Sequence, residues 1–326
     1  MRRREFLTLV GGSAAWPMAA LAQGRALPVI GFLHSRGPED AAYLTAGFRR
    51  GLRDAGFIDG QNVRVEYRWA HGQYDQLSAL ARELASFPVS VMVSGGGAPA
   101  VVAAKSASST IPIVFAMSGD AVKLGLAESI NRPGANVTGI DVFTTVLDPK
   151  RLSLLHDLVP TTDTIGFLVD ANYPPSAQQV TDAEAAASAM GVRIRVLRAT
   201  NEQEIDAAFE ILANNNIRAL AVASSPYFDT EHKRLVRLAT SHSIPAIYHF
   251  REYALAGGLI SYGVDIVDAY RQIALYAAQI LKGAKPGDLP ILQASKFDLV
   301  INLRTAKALG LAVPSGVLAI ADDVIE

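Results

Sequence analysis

The run Ile30-Gly31-Phe32-Leu33 returns, letter for letter, as Ile165-Gly166-Phe167-Leu168, 135 residues later. The residues after the two copies also correspond. Gly56 lies 26 positions after Ile30, and Gly191 lies 26 positions after Ile165. Leu84–Gly96 (LASFPVSVMVSGG) aligns with Leu212–Ser225 (LANNNIRALAVASS) at offsets of 128 to 130. Thr110–Ala116 aligns with Ser243–His249 at 133, and Gly125–Ile130 with Gly258–Gly263 at the same offset. Ordered matches at nearly one spacing indicate an internal duplication, so the second IGFL reads as the first strand of a second lobe.

Around each copy, short apolar runs alternate with amphipathic ones. Leu44, Phe48 and Leu52 fall at i, i+4 and i+8, and Leu77, Leu80, Ala81 and Leu84 share another helical face. Val89–Gly97 and Ile111–Ser118 read as strands, with Ala98–Ser108 a helix between them. The second series runs through helix 177–191, strand 192–199, helix 202–215, strand and loop 217–228, helix 230–243 and strand 244–250. Such alternation predicts an α/β fold of βαβ units, with parallel sheets covered on both faces. Residues 28–142 form lobe 1 on this reading, and 143–264 lobe 2. The turn-rich segment Asn131–Phe143 links them. Residues 265–326 hold a strong helix, a strand at Lys296–Leu303 and a short helix, too little for a third domain. This tail is expected to cross back and pack on both lobes.

Composition excludes several chemistries. With 326 residues, half of them hydrophobic, the chain can fill two cores. A net charge of −1 without clustered cations excludes a nucleic-acid surface. The absence of cysteine excludes disulfides and thiolate chemistry. The six histidines form no HExxH, GxSxG is missing, and no paired carboxylates stand out. No cofactor motif or metal-ligand set is present, which points away from an enzyme.

Met1–Ala22 reads as a cleavable export signal. Arg2, Arg3 and Arg4 precede a modest apolar run that ends in Ala20-Leu21-Ala22, and Arg3–Leu7 fits the twin-arginine form. Gly11, Gly12 and Pro17 break the run, which is too short to stay in a membrane. An amphipathic N-terminal helix is the competing reading. No other segment is long and apolar enough to span a bilayer, so an exported, soluble protein starting near Gln23 is expected.

Ligands of open parallel sheets sit beyond the carboxyl ends of the strands, and that rule selects the candidate residues. His34-Ser35-Arg36 follows the first strand. Ser94, Gly95, Gly96 and Gly97 precede a helix start at Ala98-Pro99, where free N–H groups bind an anion or simply make a tight turn. Ser118 and Asp120 offer a hydroxyl and a carboxylate to a ligand, or cap the next helix. Asn172, Ser224 and Ser225 repeat that choice in lobe 2. Tyr173, Tyr227, Phe250, Tyr253 and Tyr262 lie near strand ends, for stacking on a ligand or for core packing. Asp141 and Asp265 end matching segments near the presumed hinge, as ligand contacts or in structural salt bridges.

Long stretches resemble a known family. Val29–Ser35, Phe48–Gly72, Ile111–Ile140 and Phe250–Ile291 are similar to the exported substrate-binding proteins of ABC importers, in the subgroup associated with tryptophan, tyrosine and related ligands. The resemblance covers almost all of the mature chain. It implies two Rossmann-like lobes joined by a hinge, with a small carboxylate-bearing ligand closed between them. It also implies a periplasmic monomer that delivers the ligand to an ABC permease, with ATP hydrolysed by a separate subunit. A ligand carboxylate would meet Ser94, Gly95, Gly96 and Ser118, and an ammonium group Asp120, Asp141 or Asp265. A periplasmic sensor for a receptor kinase is the alternative role, and an exported enzyme on the same scaffold a third.

Overall fold

The computed structural model describes Leu27–Glu326, so the signal-like Met1–Ala22 lies outside the described residues. The first IGFL sits in β1 (Val29–His34). After it come α1 (Ala42–Asp54), β2 (Arg64–Trp69), α2 (Leu77–Ser86), β3 (Val91–Gly95), α3 (Ala98–Ala107), β4 (Ile113–Met117), β5 (Val137–Asp141) and α4 (Asp148–Leu158). The second sits in β6 (Thr164–Asp170). It leads into α5 (Ser176–Ala189), β7 (Arg193–Ala199), α6 (Glu202–Asn214), β8 (Leu220–Val222), α7 (Pro226–Thr230), α8 (His232–Ser241), β9 (Ala246–Tyr248), α9 (Arg251–Leu255) and β10 (Ile260–Val264). The tail supplies α10 (Ile266–Leu281), β11 (Leu292–Gln293), β12 (Phe297–Asn302), α11 (Leu303–Ala308), α12 (Ser315–Leu318) and β13 (Asp323–Ile325).

Two sheets result. Their orders are β2-β1-β3-β4-β5-β11 and β7-β6-β8-β9-β10-β12-β13. The first five strands of each share the same winding, so the repeat seen in the sequence is a repeat of topology. Every pairing is parallel except β10 with β12. Both IGFL runs are fully buried because helices cover both faces of their sheets. Leu44, Phe48 and Leu52 pack inward from α1, and Ile205, Phe209 and Leu212 from α6. Gly56 and Gly191 end the matched helices with φ of +88° and +72°, a backbone that favours glycine.

Asn131–Phe143 is not simply a linker. Its second half is β5, with Val137 and Ile140 buried against β4. Neighbouring Asn, Pro and Gly residues mask this five-residue strand in the sequence. The chain passes between the sheets three times: after β5, after β10 and after β11. Ala294 N–H donates to the Asp141 carbonyl (2.9 Å) and Asp265 N–H to that of Lys296 (3.0 Å), which ties the crossings side by side. α10 lies on the first sheet's side, against α1, where Gly47 and Gly51 let the two backbones touch.

Candidate functional site

In both sheets the strand order reverses at the IGFL strand. Crevices therefore open between the carboxyl ends of β1 and β3, and of β6 and β8. In this structure the two crevices face each other and are closed. Arg36, Gly96, Gly97, Ser118 and Tyr270 come from the first side; Tyr173, Ser224, Pro226, Asp229 and Phe250 come from the second. They enclose about 30 Å³, roughly the room of one water.

Arg36 and Asp229 form a buried ion pair across the gap. Arg36 Nη1 also donates to the Tyr43 hydroxyl (2.9 Å), and its guanidinium lies 5.8 Å from the Phe250 ring centre. Burial opposes its charge, but Asp229 and Tyr43 more than offset that. Burial likewise opposes ionisation of Asp229, and Arg36 with the His249 hydrogen bond outweighs it, so the carboxyl stays below its ordinary range. Burial holds His249 neutral; its Nε2–H donates to Asp229 Oδ1 at 2.6 Å. Arg36 Nε has no hydrogen-bond partner among the described residues. One cation and one anion thus face each other from opposite lobes, among Tyr173, Phe250 and Tyr270.

The glycine turn builds the adjoining wall. Gly96 and Gly97 take φ of +81° and +92°, and α3 begins at Ala98 with Pro99 in its first turn. A side chain at Gly95 would strike the Tyr270 ring, 2.9 Å from Cζ. The Tyr270 hydroxyl accepts Gly96 N–H (3.2 Å) and pairs with His34 Nε2 (2.7 Å). His34 Nδ1 accepts Arg36 N–H (3.0 Å), so Nε2 carries the proton and donates. Burial keeps this ring neutral. Ser35 donates to the Gly96 carbonyl (2.6 Å). His34 and Ser35 therefore brace the turn. Tyr173 reaches over from the second lobe to the turn, where a side chain at Gly97 would lie 3.3 Å from its hydroxyl.

The other sequence candidates are distributed around this cavity and away from it. Ser94 is buried beneath the cavity wall, its hydroxyl unpaired among the described residues. Ser118 and Ser224 line the cavity; Ser118 also accepts Thr145 N–H (3.1 Å). Asp120 caps Val122 and Lys123 (3.0 and 3.1 Å) and faces a separate recess shared with Asp141. Asp265 caps α10 through Asp268 N–H (2.9 Å), and Ser225 caps α7 through Phe228 N–H (3.1 Å). Asn172 and Tyr227 line an outer groove between the lobes. There the Tyr74 hydroxyl donates to Asp170 (3.0 Å) and accepts Tyr227 N–H (3.1 Å). The Tyr262 ring stacks on Phe297, outside the cavity, and Tyr253 stacks on Tyr248. Neither Asp141 nor Asp265 forms a salt bridge among the described residues. Sequence reasoning missed Asp229 and Tyr270, and it named Arg36 only as part of a loop. Arg36 had a weak signal, its place directly after β1. Asp229 had none.

Asp141 yields a pH prediction. Burial pushes its carboxyl up to about 6, against the pull of the Phe143 and Gly119 N–H groups. An unfolded Asp titrates near 4. The folded chain therefore holds this proton more tightly between about pH 4 and 6. The stabilisation is complete below that window and is lost as pH rises through it. Relative to Asp141→Asn, the unaltered chain should lose about 2 kcal/mol between pH 4 and pH 7 in urea unfolding. Parallel pH profiles for the two proteins would remove Asp141 as the cause.

Residues 38–325 match the family described as ABC transporter substrate binding protein. The chain belongs to this family. The tyrosine-binding protein of Clostridioides difficile is 25% identical over 263 residues, covering 81% of this chain and 75% of that protein. The structure of an ABC domain in complex with L-Trp from Streptococcus pneumonia superposes with a TM-score of 0.83 at 25% identity, covering 92% of this chain and 100% of the other. A substrate binding protein with adhesive properties from Clostridium difficile, in its ligand-free, open structure, scores 0.66 at 24% identity, covering 92% and 99%. As a member of the substrate-binding family, the chain has the family's two-lobe α/β architecture. Among the described residues no helix is long and apolar enough to cross a membrane, and no three His, Asp or Glu side chains are grouped to hold a metal ion.

Proposed function

We propose that this substrate-binding protein captures an amino acid with an aromatic or apolar side chain in the cavity between its lobes. The observation that carries the proposal is the Arg36–Asp229 pair. A zwitterion presents one carboxylate and one ammonium group, which suit the guanidinium of one lobe and the carboxylate of the other. Tyr173, Phe250 and Tyr270 suit an apolar side chain. The L-Trp complex and the tyrosine-binding relative favour the same ligand class. Sites for small ligands measure roughly 300–1,000 Å³. The ligand therefore enters between Arg36 and Asp229, replaces their direct contact, and holds the lobes slightly further apart. Contact with both lobes exists only in the closed state, so the ligand shifts the hinge equilibrium by its differential affinity. The exported monomer then delivers the ligand to a permease in the periplasm.

Calorimetry with L-tryptophan, L-tyrosine, tryptamine and indole-3-propionate tests this. Tryptamine and indole-3-propionate each lack one of the two charges and should bind about 10- to 100-fold more weakly than L-tryptophan, the worth of a charged hydrogen bond. Tryptamine binding as tightly as L-tryptophan would sink the carboxylate role of Arg36.

A further inference from the structure

The second sheet is covered unevenly. α5, α6 and α8 run for 14, 13 and 10 residues, but the crossover from β9 to β10 is α9, of five. At 1.5 Å per residue such a helix covers roughly 8 Å, too little to shield the strands beside it. The chain then leaves through Ala256-Gly257-Gly258, which have almost no side chains to fill the gap. A groove of about 630 Å³ opens there, between α8 and α11. It lies where β9 and β10 begin, at the end of the sheet opposite the interlobe cavity.

The groove has a definite chemistry. Val236, Ala239, Ile244, Ala246 and Leu259 supply an apolar floor. Lys233 and Arg237 stand one turn apart on α8, and Arg304 stands on α11. None of the lining residues is acidic. The neighbouring Arg234 takes both Glu202 and Asp206. Lys233, Arg237 and Arg304 have no ion pair among the described residues. The Tyr248 ring lines the same groove, and its buried hydroxyl has no hydrogen-bond partner among the described residues. Apolar concavities of this volume with a few convergent polar groups are the usual form of small-molecule sites, and unpaired cations around an apolar floor select a negative charge.

We propose that this groove is a second binding site, for a small amphiphilic anion with a compact aromatic body and a carboxylate or sulfonate head. The apolar body lies on Val236, Ile244 and Leu259, and the head meets Arg237 and Arg304. The proposal is independent of what binds between the lobes.

Titration of the whole chain with 8-anilinonaphthalene-1-sulfonate, monitored by fluorescence, is the test. One saturable site is expected. The double variant Arg237→Glu/Arg304→Glu, altered at two exposed positions, should weaken it at least tenfold, and Ala308→Phe should block it. The double variant should still bind L-tryptophan like the unaltered chain, so loss of the probe alone is a local effect. If the double variant binds the probe unchanged, or if Arg36→Met abolishes the signal instead, the probe sits elsewhere and the groove is not its site. Binding of an acidic helical peptide at Arg237 and Arg304, with no probe signal, would replace the small anion by a protein partner and overturn the proposal.

Discussion

Asp229→Asn should open the protein. The substitution keeps the size of the side chain but leaves the Arg36 guanidinium buried without its counter-charge. Breaking a buried pair in this way costs about 3–5 kcal/mol. Arg36 and Asp229 sit on different lobes, however, so the molecule need not unfold to relieve the cost. Parting at the hinge returns Arg36 to water. A penalty of that size is a factor of roughly 100 to 4,000, enough to cancel a closed-to-open preference of about a hundred. Small-angle scattering should therefore show a larger radius of gyration for Asp229→Asn, with its melting temperature nearly unchanged. L-tryptophan binding should fall with it, because the ammonium partner is gone. Replacing both residues, as Arg36→Met/Asp229→Leu, removes the stranded charge and should restore the compact form without restoring binding. An Asp229→Asn variant as compact as the unaltered chain would mean that the ion pair does not hold the lobes together.

Gly51→Ala should destabilise the first lobe. An added methyl there would press on the Arg271 carbonyl oxygen and lie 2.8 Å from Ala274 Cβ, both on α10. Gly47, one turn earlier, meets the Val267 carbonyl at 2.7 Å in the same way. The obstacle is backbone, so the helices must move apart, and overpacking of this kind costs about 1–3 kcal/mol. Alanine's better helix propensity returns about 1 kcal/mol at most. α10 also rests on β3, β4 and β5, so its displacement spreads into the core of the lobe. A fall in melting temperature of about 2–8 °C is expected. A rise would show that propensity outweighs contact, and that α1 and α10 have room to spare.

Much of the architecture was legible because its causes are local. The spacing of Leu44, Phe48 and Leu52, the stops at Gly56 and Gly191, and the turn Gly96-Gly97 before Ala98-Pro99 all act within a few residues. β5 and α7 were harder to read. A five-residue strand among turn residues, and a one-turn helix after Ser225, carry too little pattern to show a period. The same locality explains why the candidate carboxylates were mostly not in the cavity. Asp120, Asp141 and Asp265 each have backbone N–H groups two or three residues away and are occupied by them.

The sequence by itself carried the repeated α/β pattern, because its periodicities are written along the chain, and its long resembling stretches pointed to the family. Only the tertiary structure decided which charges meet. Arg36 and Asp229 are 193 residues apart, and His34 and Tyr270 are 236 apart. Their pairing depends on how the second lobe closes over the first and on α10 returning to lie against α1. The energies that select those partners, of burial, counter-charge and backbone contact, exist only once the distant surfaces have come together.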